Sequence, residues 1–423
     1  MTTEETSQPV LIVGAGHAAG EMATALRMNG YKGPITLIGE EPHLPYQRPP
    51  LSKAFLSGDI TTERLYVKGP AVYTNAAIDF IPNTRVTAID KAAKTVTLED
   101  GRTLSYSKLV LATGGRPRLL SLGDERINKA PNLHYLRTIG HVDNMREQFK
   151  PGNKLVIIGG GYIGLEVAAV ARKKGIDVTV LEAMDRVLQR VTAPEVSAFY
   201  QQVHGEAGVN ILVNTALTGF EFDAEGKVTT VLTANGLKIP ADVVIVGIGL
   251  IPNVELAEQA GLALENGIAV DEYGQTSDPD ILAIGDCSSH PNAYAGRRLR
   301  LESVPSALEQ ARSAAALLVG QKKPYNAVPW FWSDQYDLKL QMVGLNQGYD
   351  TVALRGSPAN RNFLAFYLKD GVVLAVDSIS RPQEFMVAKK LVAERVKADP
   401  LVLVDESLPL KALVPAAAPP AAS

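Results

Sequence analysis

Cysteine is almost missing from this 423-residue chain, in which Cys287 stands alone. An intramolecular disulfide is therefore excluded, and so is any pair of thiols that could relay electrons. Aromatic residues make up only 6%, and both tryptophans, Trp330 and Trp332, fall in one short stretch. No run approaches the roughly 20 apolar residues that span a bilayer. The opening MTTEETSQP has neither the charged n-region nor the apolar h-region of a secretion signal, so a cytoplasmic protein is expected. Charge of one sign is missing too. A formal net charge of −3 provides no global pull toward nucleic acid or an acidic membrane. Residues 414–423, rich in alanine and proline, are expected to be a disordered tail.

Glycine is plentiful, at 36 residues, and two stretches use it alike. VLIVGAGHAAGEMATAL (10–26) and KLVIIGGGYIGLEVAAVA (154–171) each run from an apolar strand through a glycine turn into a helix rich in small residues. In this dinucleotide fingerprint the first glycine permits the tight turn and the second lets backbone approach a pyrophosphate. A third small residue then lets helix pack on strand. The three positions are Gly14, Gly16 and Ala19 in the first copy, and Gly159, Gly161 and Gly164 in the second. A lone copy is weak evidence. Here each second strand also ends in an acid, Glu40 and Glu182, placed to accept hydrogen bonds from ribose hydroxyls. Two dinucleotides in one chain suggest a prosthetic nucleotide and a diffusible one, FAD and a nicotinamide being the obvious pair.

HLPYQRPPLSKAFLSG (43–58) has its prolines in a short span, which predicts an extended loop before a helix. Its cations Arg48 and Lys53 are candidates for the pyrophosphate and the flavin ring. ATGGRPR (112–118) ends a buried strand, with Thr113 and Gly114 where backbone can approach a ligand. Gly249, ahead of Pro252-Asn253, mirrors that exit. Asp286, after strand 281–284, suits a ribityl hydroxyl. The helix from Pro305 would direct its positive end at a flavin pyrimidine. Glu182 would repel a 2′-phosphate and so favours NADH, with Arg186 nearby as the opposing signal. Asp100-Gly101 and Asp370-Gly371 are hairpin turns. No metal site is expected.

RPPLSK (48–53), ATGGRPR (112–118), GGGYIGLE (159–166), AIGDC (283–287), RLESVPSALEQA (300–311) and WSDQ (332–335) are more specific than the glycine turns. With them the chain, from about Pro9 to Leu413, resembles the FAD-dependent, NADH-using ferredoxin reductases of bacterial oxygenase systems. That resemblance implies an α/β fold with two Rossmann-like, glutathione-reductase-like dinucleotide domains and an α+β C-terminal domain. The expected boundaries are 1–117 with 248–327 for FAD, 118–247 for NADH and 328–413 for the last domain. Arg48, Lys53, Asp286, Val304 and Trp332 are implied at FAD, and Gly161, Ile163 and Glu182 at NADH. Glu166 is implied to pair with Lys53 beside the flavin as the catalytic couple. His17 has no implied role and is expected to be exposed.

The implied reaction passes hydride from NADH to FAD and then single electrons to a 2Fe–2S ferredoxin serving a cytochrome P450 or Rieske-type oxygenase. Docking to an acidic ferredoxin would draw on Arg297, Arg298, Arg300, Arg312, Lys339, Lys389 and Lys390. A rubredoxin or monodehydroascorbate reductase fits the same core. So does a redox-responsive binding protein resembling apoptosis-inducing factor. Because Cys287 has no partner thiol, Cys287→Ser should leave NADH-driven electron transfer to an acceptor within about twofold of the parent. Loss of transfer with flavin reduction intact would restore a sulfur relay.

Overall fold

The computed structural model describes residues 8–415; residues 1–7 and 416–423, the latter most of the expected tail, lie outside them. The chain forms two compact units, one running to Arg118 and resuming at Gly249–Ala327, the other comprising Leu119–Ile248 and the chain from Val328 onward. Among the described residues no helix is long and apolar enough to cross a membrane.

The first unit is built on a five-stranded parallel sheet. Its spatial order is Ile281–Ala283, Lys108–Leu111, Val10–Val13, Ile35–Ile38, Ile78–Ile81. Strands such as VLIV are apolar throughout because both sheet faces are covered. The chain begins in the middle, builds outward to Ile78–Ile81, then returns to the other side of Val10–Val13. That reversal is a topological switch point, where doubly wound sheets open a crevice at the strands' carboxyl ends. Helix His17–Met28 packs on helix Val304–Leu318 through Ala18, Ala19, Ala23, Ala307, Ala311 and Ala314. These small side chains let the two helices lie close together.

The second unit repeats the plan. Its parallel sheet runs Asn210–Leu212, Asp177–Leu181, Lys154–Ile158, Val243–Val246, Leu133–Tyr135; here the first strand, Leu133–Tyr135, is at the edge, and the reversal falls between Lys154–Ile158 and Val243–Val246. The same unit holds a five-stranded antiparallel sheet, in the order Trp330–Gln335, Leu338–Gly344, Val372–Ile379, Asn362–Lys369, Thr351–Ser357. This sheet shares one core with the nucleotide-type fold. Leu338, Leu340, Phe363 and Tyr367 pack with Leu165, Val196, Phe199 and Tyr200. Both Asp-Gly turns close hairpins, with Asp370 and Gly371 at φ +50° and +78°.

Two local expectations change. Residues 43–48 are the loop expected ahead of a helix, but Pro49–Ser52 form a 3₁₀ turn in place of extended chain, leading into helix Ala54–Ser57. Proline's fixed φ suits the first helical positions as well as extended chain. His17 is half-buried, because it forms the first residue of its helix.

Asp377 is 3% exposed in this shared core and accepts a hydrogen bond from the Tyr367 hydroxyl at 2.5 Å. Burial pushes its carboxyl up to about 7. Between its unfolded pKa near 4 and about 7 the native state binds more protons, so this residue lowers stability as pH rises through that window. Asp377→Asn should therefore raise the holoprotein's melting temperature by several degrees at pH 8, from a cost on the order of 4 kcal/mol at full ionisation. At pH 5 the gain should be clearly smaller. Equal gains at both pH values would show that Asp377 is not buried as an acid.

Candidate functional site: two glycine-led helix starts

Strand Val10–Val13 ends in Gly14 at φ +115°. A Cβ there would stand 2.2 Å from the Ala112 carbonyl oxygen, so only glycine lets the neighbouring strand ends meet. Gly16 opens helix His17–Met28, which has no side-chain cap, and a Cβ on Gly16 would meet nothing within 4 Å. Ala19 is fully buried beneath it. An uncapped helix start with open space at its second glycine is what a pyrophosphate requires.

The second unit has the same parts. Gly159, at φ +110°, would place a Cβ 2.4 Å from the Gly247 carbonyl oxygen. Gly161 starts helix Tyr162–Lys173 without a side-chain cap and likewise opens on empty space. Gly164 presses against Gly159, where a Cβ would stand 2.3 Å from its carbonyl oxygen. Some helix starts are closed by side chains, as Ser303 closes Val304–Leu318 and Thr138 closes Ile139–Arg146, while others, such as Pro194–Glu206 and Pro382–Ala393, begin with proline and no cap.

The two acids differ in use. Glu40 pairs with Arg85 at 3.2 Å, both side chains 61% exposed. Glu182 accepts the Gly160 and Met184 N–H groups, one on each oxygen, both at 2.9 Å. Each of its oxygens keeps a lone pair for a further donor. Arg186 turns inward, donating to the Thr192 and Gln189 carbonyls and the Ser197 hydroxyl. Its guanidinium is thereby engaged by residues 189 to 197, the last of them on helix Pro194–Glu206. Ile163, on the first turn of its helix, is a large apolar side chain left 49% exposed.

Around the first cradle, Arg48 donates to the Tyr46 hydroxyl at 3.0 Å and pairs with Glu41 at 3.3 Å. Lys53 sits between the two short turns of the proline segment. Its Nζ donates to the Pro49 carbonyl at 3.1 Å and the Ser52 hydroxyl at 3.4 Å. Thr113 donates to the Asn253 carbonyl at 2.7 Å, while Asn253 donates its side-chain amide to Thr113 O and its backbone N–H to Gly114 O. Asn253 thus locks the exit loop, a part sequence reasoning gave only to the loop's position. The Gly249 carbonyl accepts from the Arg118 N–H. Asp286 lies half-buried in the turn Gly285–Cys287, which Gln310 fastens by accepting from Gly285 N–H and the Ser288 hydroxyl. Val304 is the first residue of its helix.

Cys287 is fully buried and donates weakly toward the Leu111 and Ile284 carbonyls; burial pushes its thiol up. Glu166 is only 4% exposed and accepts a 2.6 Å hydrogen bond from Ser333, a partner sequence reasoning missed although WSDQ contains it. Trp332 is half-buried, its ring 5.6 Å from that of Trp330. Of the seven proposed docking cations, several are held by the chain itself. Arg298 donates to the Val270 carbonyl and pairs with Glu265, Arg300 pairs with Glu302 and donates to Asp286 O, and Arg312 pairs with Glu21. Lys389 stands over the Trp330 ring at 4.5 Å.

Two parallel sheets, each with an uncapped glycine-led helix at its switch point, define a protein that holds two dinucleotides. The chain belongs to the pyridine nucleotide-disulphide oxidoreductase family, which it matches over residues 8–311, with a reductase C-terminal domain over 330–414. It is 50% identical to putidaredoxin reductase of Pseudomonas putida, covering 96% of this chain and 97% of that one. Rhodocoxin reductase of Rhodococcus erythropolis is 43% identical, covering 95% and 93%. The crystal structure of the covalent putidaredoxin reductase–putidaredoxin complex superimposes with a TM-score of 0.93 at 50% identity, covering 96% of this chain and 98% of that one.

Glu182 holds the glycine loop through the Gly160 N–H and is the acid expected at the NADH ribose. Glu182→Ala should raise the KM for NADH about tenfold, the loss of one hydrogen bond to a charged group. The flavin content should not change, because Glu182 belongs to the second unit. An unchanged KM would leave the carboxylate a purely structural role.

Proposed function

We propose that this protein is an FAD-containing, NADH-dependent ferredoxin reductase that delivers electrons singly to a 2Fe–2S ferredoxin. The ferredoxin in turn supplies a cytochrome P450 or Rieske-type oxygenase in the cytoplasm. The observation that carries this reading is the doubled cradle: uncapped helix starts at Gly16 and Gly161, each open where a Cβ would stand. The relatives support the acceptor. They include the ferredoxin reductase component of an anthranilate 1,2-dioxygenase system of Burkholderia cepacia, 42% identical, and the putidaredoxin complex.

The unit built from residues up to 118 and 249–327 holds FAD in this reading, and residues 119–248 hold NADH. Gly14, Gly16 and Ala19 bring backbone to the pyrophosphate with Arg48 adding charge, while Glu40 and Asp286 accept from hydroxyls. Thr113 and Gly114 form the close backbone edge, and Val304 starts the helix whose positive end faces the pyrimidine. Gly159, Gly161, Ile163, Gly164, Glu182 and Gly249 serve the nicotinamide nucleotide, and Trp332 provides an aromatic surface for the flavin. FAD, when bound, converts a two-electron hydride donor into a one-electron source. Lys53 and Glu166 contribute opposite charges to that step, and Lys53 is oriented by the Pro49 carbonyl. With one buried cysteine, no thiol intermediary is available.

The test is NADH-driven cytochrome c reduction by the yellow holoprotein, with and without a 2Fe–2S ferredoxin. Turnover should depend on the ferredoxin and fall about tenfold from low to high salt, as electrostatic docking requires. Lys53→Ala should slow flavin reduction by NADH about tenfold. Ferredoxin-independent, salt-insensitive turnover would overturn the assignment.

A further inference from the structure

The second unit contains a buried polar chain that the reaction does not obviously need. On strand Trp330–Gln335 the pleat directs Ser333 and Gln335 to one side, where they are 0% and 1% exposed. Ser333 Oγ lies 2.6 Å from Glu166 Oε1, and Gln335 Nε2 lies 3.3 Å from Ser333 Oγ. Gln335 Oε1 meets His204 Nε2 at 2.8 Å, and Tyr336 OH meets His204 Nδ1 at 3.1 Å. Helix Tyr162–Lys173 brings Glu166, and helix Pro194–Glu206 brings the fully buried His204. Tyr336 packs against the apolar cluster that includes Leu338, Leu340, Phe199 and Tyr200.

The directions follow from the carboxylate end. The Ser333 hydroxyl donates to Glu166 Oε1. Ser333 then accepts, which requires the Gln335 amide N–H₂ to face it and leaves Oε1 toward His204. Flipping that amide would set a carbonyl against a hydroxyl whose proton is already used. His204 must therefore carry its proton on Nε2. Burial lowers its pKa and keeps the ring neutral, so Nδ1 accepts from Tyr336. Every donor in the series points at Glu166. Aligned donors polarise one another, and in an apolar core that strengthens the terminal bond.

We propose that Ser333, Gln335 and His204 are positioning residues that hold the Glu166 carboxylate in one orientation for the NADH-driven half-reaction, through a one-way hydrogen-bond chain. This rests on the reading of Glu166 as acting at the flavin. It assigns a purpose to polar residues in a core position that apolar side chains would fill at lower desolvation cost.

The experiment compares Ser333→Ala, His204→Leu and His204→Gln in the holoprotein, with Glu166→Gln as reference. Glutamine retains a donor where the imidazole Nε2 stands and cannot be charged; leucine removes it. The first readout is the infrared carboxylate stretch of isotope-labelled glutamate, assigned to Glu166 by its loss in Glu166→Gln. It should shift in Ser333→Ala and His204→Leu and stay in place in His204→Gln. The second is the stopped-flow limiting rate of flavin reduction. It should fall about tenfold in Ser333→Ala and about threefold in His204→Leu, with NADH affinity unchanged, and recover in His204→Gln. A stretch that does not move in Ser333→Ala overturns the chain, as does equal slowing in both His204 variants. If the stretch moves while Glu166→Gln itself reduces flavin at the parent rate, the chain stands as a structural device and its role in the reaction is refuted.

Discussion

Both nucleotide cradles depend on a single steric constraint, met twice. Strand-end glycines Gly14 and Gly159 lie against carbonyl oxygens of the adjacent strand, Ala112 and Gly247, at separations no Cβ could occupy. Each also adopts a positive φ that costs other residues on the order of 1–3 kcal/mol. The contact closes the two strands at the switch point and sets the direction in which the following helix leaves. The helix start is then aimed into the crevice, and the next glycine leaves it uncovered. Without the first contact, the open N–H groups at Gly16 and Gly161 would have no defined place to face.

The two cradles diverge where their chemistry should. Glu40 sits at the surface, balanced only by an exposed Arg85, and a surface ion pair of that kind is easily exchanged for another partner. Glu182 instead binds two backbone N–H groups of its own loops. That arrangement fixes the carboxylate in advance, which lowers the ordering cost of any ligand that bonds to it.

The parallel strands, the glycine turns and the Asp-Gly hairpins were all legible in the sequence, because local periodicity and backbone conformation determine them. The cations were not. An arginine's guanidinium lies several bonds from its backbone, so its partner depends on which loop passes nearby. Arg186 and Arg300, candidates by position, are consumed by neighbouring carbonyls and carboxylates. The proline segment misled for another reason: a fixed φ is common to extended chain and to the first turn of a helix. Ser333 and Glu166 are 167 residues apart in sequence, and nothing local to either marks the bond between them.

The family's name refers to disulphide chemistry, yet this chain retains only the frame for it. A disulphide requires two sulfurs, and the thiolate is the reactive form. Cys287 has no partner, no exposure and a thiol pushed toward its protonated state. A frame that brings NADH to FAD without a sulfur acceptor has to hand its electrons to something outside the polypeptide. The choice of acceptor then passes from covalent chemistry to surface recognition. Of the cations the sequence displays, Arg298, Arg300 and Arg312 each already pair with a carboxylate of this chain. Exchanging one acceptor protein for another in such a frame requires changes at the surface, not at the glycine cradles, and so the cradles can stay fixed while partners diverge.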